Sequence, residues 1–111
     1  MELLLGHLIG DYLLQSDWMA LNKKKRGSKG FLPCIIHCIL WTLSVYIFTV
    51  GFKVNITIFI LLFLSHYILD RTNIVKYIIN KTIMPNPTMW KIIIVDNTLH
   101  LLFAYFILKL L

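Results

Sequence analysis

The chain has 111 residues, of which 59% are hydrophobic and 14% charged, and its mean hydropathy is +0.78. A soluble domain carries about 45–50% apolar and about 25% charged residues, and so short a chain cannot hide the excess, so a bilayer is the natural solvent. Disorder, a collagen-like fibre and a disulfide scaffold are excluded by the hydropathy, the five glycines and the two cysteines, and the formal net charge of +6 is concentrated rather than spread.

The first apolar stretch, about residues 1–18, carries Glu2 instead of a basic start and Asp11 in its middle, and it has no small-residue cleavage site before the basic run. It reads as a retained helix and not as a signal peptide. Lys23, Lys24, Lys25, Arg26 and Lys29 follow, as expected of a cytoplasmic loop facing anionic lipid. No aromatic-interleaved basic face accompanies them, so nucleic acid is not an expected partner. The second stretch, 31–50, has no acidic or basic residue and is long enough for an ~30 Å hydrocarbon core. Pro33 falls in its first turn, where a missing N–H costs little. Gly51 ends it, and a tight connection leads to a third helix over about 54–70. From Arg71 to Thr88 the pattern changes: Ile74, Val75, Ile78 and Ile79 recur at helical spacing, with Lys76 and Lys81 on other sides. This predicts an amphipathic interfacial helix over about 73–83, stopped by Pro85 and Pro87. A fourth helix covers about 89–111.

The expected fold is an all-α integral membrane protein, a single domain over 1–111. It is a four-helix transmembrane bundle with an interfacial amphipathic helix between helices three and four. Nine basic residues fall in the connections after helices one and three, namely Lys23, Lys24, Lys25, Arg26, Lys29, Arg71, Lys76, Lys81 and Lys91, whereas Lys53 and Lys109 fall on the other side. That asymmetry predicts a multi-pass protein of a bacterial cytoplasmic membrane with both termini outside.

All four histidines, His7, His37, His66 and His100, lie in these segments, one in each. Asp11, Asp70 and Asp96 each stand four positions from one of them, which puts carboxylate and imidazole on one helix face. Counted from the cytoplasmic ends, these residues fall at compatible depths, with Asp70 at the membrane edge. Ionisable side chains in a bilayer cost about 2.5–3.5 kcal/mol each on insertion scales and persist when paired, liganded or solvated. One shared polar site follows, with His7, Asp11, His37, His66, Asp70, Asp96 and His100 as ligands for one or two divalent ions of zinc or manganese. Cys34 and Cys38 read as small apolar residues, and Ser65, beside His66, lacks a triad partner.

The favoured function is a metal-dependent hydrolase acting on a lipid or lipid-linked phosphate near the cytoplasmic face. Asp70 or Asp11 is its catalytic base, and Gln15, Asp17 and Arg71 are substrate or supporting contacts. Two alternatives stay open. One is a conductor of protons or divalent cations, which requires a homo-oligomer. The other is a phage or bacterial membrane regulatory or binding subunit whose polar cluster is structural.

The segments GHLIGDYLLQSDWMALNKKK, IIHCILW, LSHYILDRTNIVKY and DNTLHLL resemble the blocks of the domain of unknown function 3307 (DUF3307), a family of small bacterial and phage membrane proteins. The resemblance covers nearly the whole chain and implies no molecular activity. The chain departs from that pattern in the connection Asn73 to Thr88 and at Asn97, where a glutamine is expected. By its arrangement of His and Asp on short membrane helices, the chain is also loosely similar to predicted membrane-bound metal-dependent hydrolases.

Overall fold

The computed structural model describes residues 1–82, with the side chain of residue 82 excepted, and 88–110. Pro85 and Pro87, expected to stop the interfacial helix, lie outside the described residues, as does the last residue expected in helix four. The described residues are all helical: α1 (Glu2–Leu8) running into a π-helical turn (Ile9–Leu13), then α2 (Asp17–Asn22), α3 (Ser28–Thr49), α4 (Ile56–Arg71), α5 (Ile74–Thr82) and α6 (Met89–Leu108).

Among the described residues, α3 and α6 are long and apolar enough to cross a membrane, and α4 with α5 makes a third crossing if that pair, bent by 66°, counts as one. The chain is therefore a helical membrane protein. At 16 residues, α4 alone spans about 24 Å, short of an ~30 Å core. Outward-facing Leu43, Ile60, Leu64, Leu102, Phe103 and Phe106 are all exposed, as lipid-facing positions are.

The first segment departs furthest from expectation. Instead of one helix over 1–18, the backbone widens into the π turn, in which Leu14 N–H bonds the Ile9 carbonyl at 2.9 Å, and the helix stops at Leu13. The chain restarts where Ser16 Oγ accepts from Met19 N–H, a side-chain cap that makes α2 a separate helix. Further on, α3 begins three residues earlier than the apolar stretch, because Gly27 at φ 72° turns the chain into it. Pro33 is consequently its sixth residue, inside the helix, and the Lys29 carbonyl lacks its usual i+4 N–H partner.

Helix α1 lies against α3 at backbone distance. A Cβ on Gly6 would come within 2.8 Å of Val45 Cα, and one on Gly10 within 2.8 Å of the Trp41 ring. Two glycines four apart thus form the contact stripe, a small-residue packing mode of membrane helices. Ser44 Oγ adds a 2.8 Å hydrogen bond to the Gly6 carbonyl.

Two apolar clusters bracket the polar residues. One joins Trp41, Val45, Ile58, Leu62 and Ala104, and the other joins Leu69, Val75 and Ile79 with Ile92, Val95 and Leu99 packed against them. Along α4 the order is Leu62, His66, Leu69, and along α6 it is Val95, His100, Ala104, so the histidines form a layer between the two clusters.

Candidate metal centre

The histidines reach the bundle interior from α1, α3, α4 and α6, and all four are buried. Five side chains converge. The Nε2 atoms of His37 and His66 lie 2.9 Å apart, and Asp70 Oδ2 lies 3.0 Å from the first and 3.3 Å from the second. The other oxygen of Asp70 is 3.1 Å from His100 Nε2. Asp11 Oδ1 stands 3.4 Å from His37 Nε2 and 4.0 Å from His66 Nε2. Donors at tetrahedral zinc distances are about 3.4 Å from one another, a value that these separations bracket.

Among the described residues, two ligand sets arise, Asp11 with His37 and His66, and His66 with Asp70 and His100. In each, the donor atoms lie within 4.8 Å of one another. Their protons test whether a cation suits the place. His100 Nδ1 is 2.7 Å from the Asp96 carbonyl oxygen and must carry a hydrogen to bond it, which leaves Nε2 facing a carboxylate. A bare nitrogen lone pair there repels the oxygen unless a proton or a cation intervenes. Likewise, the two facing Nε2 atoms of His37 and His66 accommodate at most one proton between them. Asp11 Oδ1 is buried without a hydrogen-bond partner, as are His37 Nδ1 and His66 Nδ1. Convergent lone pairs, two carboxylates and an orphaned buried oxygen fit a divalent cation.

Lys23 enters this cluster from the basic run. Its ammonium donates to Asp70 Oδ2 at 2.7 Å, and its side chain is only 15% exposed. Burial works against that charge, but the Asp70 carboxylate outweighs it and holds the lysine pKa above its ordinary value. Asp70, at the end of α4, is buried against Lys23 and the imidazoles of His37, His66 and His100. Arg71 is committed to the backbone: it donates to the carbonyls of Lys23 and Gly27, each at 3.1 Å, and to that of Lys25. Arg71 thus clamps the loop that carries Lys23.

His7 belongs to neither ligand set. Trp41 Nε1–H donates to its Nδ1 at 3.0 Å, so the ring hydrogen sits on Nε2 and donates to Asn97 Oδ1 at 2.9 Å. Asn97 then donates through its amide to the Tyr12 hydroxyl at 3.0 Å. The relay from Trp41 to Tyr12 runs in one direction and occupies both nitrogens of His7. Asp96 also stands apart, with its carboxylate 3.7 Å from His100 Nδ1 and 31% exposed. Gln15 donates to the Asp11 carbonyl at 3.1 Å, and exposed Asp17 lies in the first turn of α2, where a carboxylate suits the helix dipole. Cys34 and Cys38 are buried free thiols with Sγ atoms 3.9 Å apart, and Ser65 Oγ donates to the Leu62 carbonyl.

A cavity of about 260 Å³ opens beside the cluster. Asp11, Asp70 and Asp96 line it on one side, Lys23, Lys24 and Lys76 supply positive charge, and Val75, Ile92 and Ile93 form an apolar wall. Tyr12 and Ile93, which also line it, are exposed.

Lys23, Trp41, Asn97 and Tyr12 are the participants that the helical spacing did not single out. In the sequence Lys23 is one of five closely spaced basic residues, with nothing in its spacing to set it apart. The Gly6-x-x-x-Gly10 spacing was the available signal that α1 would press against Trp41, because small residues four apart mark close helix contacts.

No match was found among curated proteins or solved structures. The family model described as protein of unknown function (DUF3307) matches residues 1–110, which is nearly the whole length, and the chain belongs to that family.

Proposed function

We propose that this protein is a membrane-embedded, metal-dependent hydrolase acting on a lipid or lipid-linked phosphate at the headgroup level of the cytoplasmic face. The observation that carries the reading is the convergence of Asp11, His37, His66, Asp70 and His100, of which Asp11 and Asp70 also line a cavity shared with Lys23, Lys24 and Lys76. A bound divalent ion supplies Lewis acidity, polarising the ester and lowering the pKa of a water. Asp11 is better placed than Asp70 to take the proton, because Asp70 already receives Lys23 and faces three imidazoles, whereas Asp11 turns Oδ1 to His37 and His66 and keeps Oδ2 for a proton. The water oxygen bonds to phosphorus, the ester P–O bond breaks, and the abstracted proton passes to the leaving oxygen. Lys24 and Lys76 hold the anionic headgroup at the mouth.

In this reading the helices form a four-helix bundle across a bacterial cytoplasmic membrane, with α5 in the interface and both termini outside. Arg71 ties the end of α4 to the 23–27 loop, so the two basic connections share one end while Lys53 lies on the loop at the other. Conduction has less support, because Trp41, Val45, Leu62 and Ala104 close the bundle beyond the histidines.

The test is metal analysis of detergent-purified protein, followed by hydrolysis assays on phosphatidic acid and lipid-linked phosphates. Stoichiometric Zn or Mn, with turnover lost in Asp11→Asn at preserved monodispersity, is the expected result. A metal-free, inactive wild type overturns it.

A further inference from the structure

The two ligand sets share His66, whose Nε2 serves one ion at a time, and the second set also shares Asp70 with Lys23. The first set, Asp11 with His37 and His66, makes no contact with the lysine among the hydrogen bonds and ion pairs of Lys23. An ammonium at 2.7 Å from Asp70 Oδ2 already places a positive charge on the carboxylate that a second divalent ion would need. Two cations crowded onto one carboxylate repel each other. An ammonium has three donors, and Asp70 engages one of those on Lys23. The side chain also lines the cavity, with Lys24 and Lys76 on the same walls. The loop that presents it is fixed by the Arg71 clamp, so its position is set before any ligand arrives.

Building on the proposed hydrolase reading, we infer that the centre holds a single divalent ion, on Asp11, His37 and His66, and that Lys23 is the built-in second cation that binds the phosphoryl oxygens of a phosphomonoester. The division of labour is physical. The ion takes the sites that need deprotonated imidazole, and the ammonium supplies hydrogen bonds to an anion in a cavity of phosphate-headgroup size. The apolar wall of Val75, Ile92 and Ile93 accommodates the first carbons of whatever carries the phosphate.

The experiment uses the full chain in detergent, loaded with Mn²⁺ and titrated with inorganic phosphate and, separately, with micellar phosphatidic acid. Wild type, Lys23→Met, Lys23→Arg and, as a control away from the cavity, Lys29→Met are compared. One Mn²⁺ per chain is expected in all four, with phosphate affinity about 10- to 100-fold weaker in Lys23→Met and largely retained in Lys23→Arg and Lys29→Met. Phosphatidic acid binding more tightly than inorganic phosphate assigns the phosphate to a lipid, and equal affinities assign it to a free phosphate compound. Either supports Lys23 as the anion site. Two ions per wild-type chain, phosphate affinity independent of Lys23, or loss of the ion from Lys23→Met overturns the inference. A wild type that binds no metal instead removes the hydrolase reading beneath it.

Discussion

The imidazoles of His7 and His66 are both buried and both touch Trp41, yet their chemistry diverges. His7 is fixed at both nitrogens by Trp41 and Asn97, whereas His66 offers Nε2 to Asp70 and His37 and has no bond at Nδ1. Substitutions should separate the two roles. Asn97→Leu leaves the His7 N–H only Asp11 Oδ2, 3.4 Å away, and should cost about 1–3 kcal/mol, read as a lower thermal midpoint in detergent, while metal content stays at the wild-type level. His66→Ala should instead reduce bound metal to less than about a tenth of wild type, since it removes the ligand common to both sets. Loss of metal from Asn97→Leu at preserved fold would make His7 a ligand after all. Helical spacing brought the right residue types to one face but could not say which atoms meet. Asp96 stands four residues from His100, yet His100 Nδ1 bonds the Asp96 carbonyl and not its carboxylate. Asn97, ninety positions from His7, becomes its partner only through packing.

At the scale of elements, the contact of α1 with α3 decides whether Asp11 reaches the centre. Gly10 leaves no room for a side chain against Trp41, and Asp11 follows it in the π turn. Gly10→Leu should therefore push α1 off α3, destabilise by about 1–3 kcal/mol or more and weaken metal binding together with stability. Unchanged stability and metal content would show that the close approach has no such role. Arg71→Lys is the matching test on the basic loop: a single ammonium cannot span the carbonyls of Lys23, Lys25 and Gly27 as a guanidinium does. Backbone amide exchange across residues 22–27 should accelerate in this variant, and exchange at wild-type rates would remove the clamp. Most helices were legible because apolar length and the punctuation at Gly51 mark their ends, although the start of α3 at Gly27 was not. The break after Leu13 was not, since Leu-rich composition suits an α-helix and a π turn equally, and only the Ser16 cap hinted at a restart.

For the whole molecule, the asymmetry of charge predicts an orientation that labelling can read. In a Cys34→Ala, Cys38→Ala background, Lys25→Cys should react with an impermeant thiol reagent only from the cytoplasmic side, and Lys53→Cys only from the other. Labelling of both from one side would refute the proposed topology. In the proposed topology the His/Asp cluster, which adjoins the Lys23 loop, falls in the cytoplasmic half of the bundle.

The stacking of Trp41 on His66, with ring centroids 4.1 Å apart and planes 13° from parallel, gives the molecule an optical reporter. Trp18 and Trp90 are 49% and 59% exposed, while Trp41 is fully enclosed, so its emission should be the blue-shifted component of the spectrum. A paramagnetic ion seated on His66 lies within contact range of that ring and should quench this component selectively. Occupancy of the centre can then be followed by fluorescence in intact membranes, without purification and without knowing the substrate.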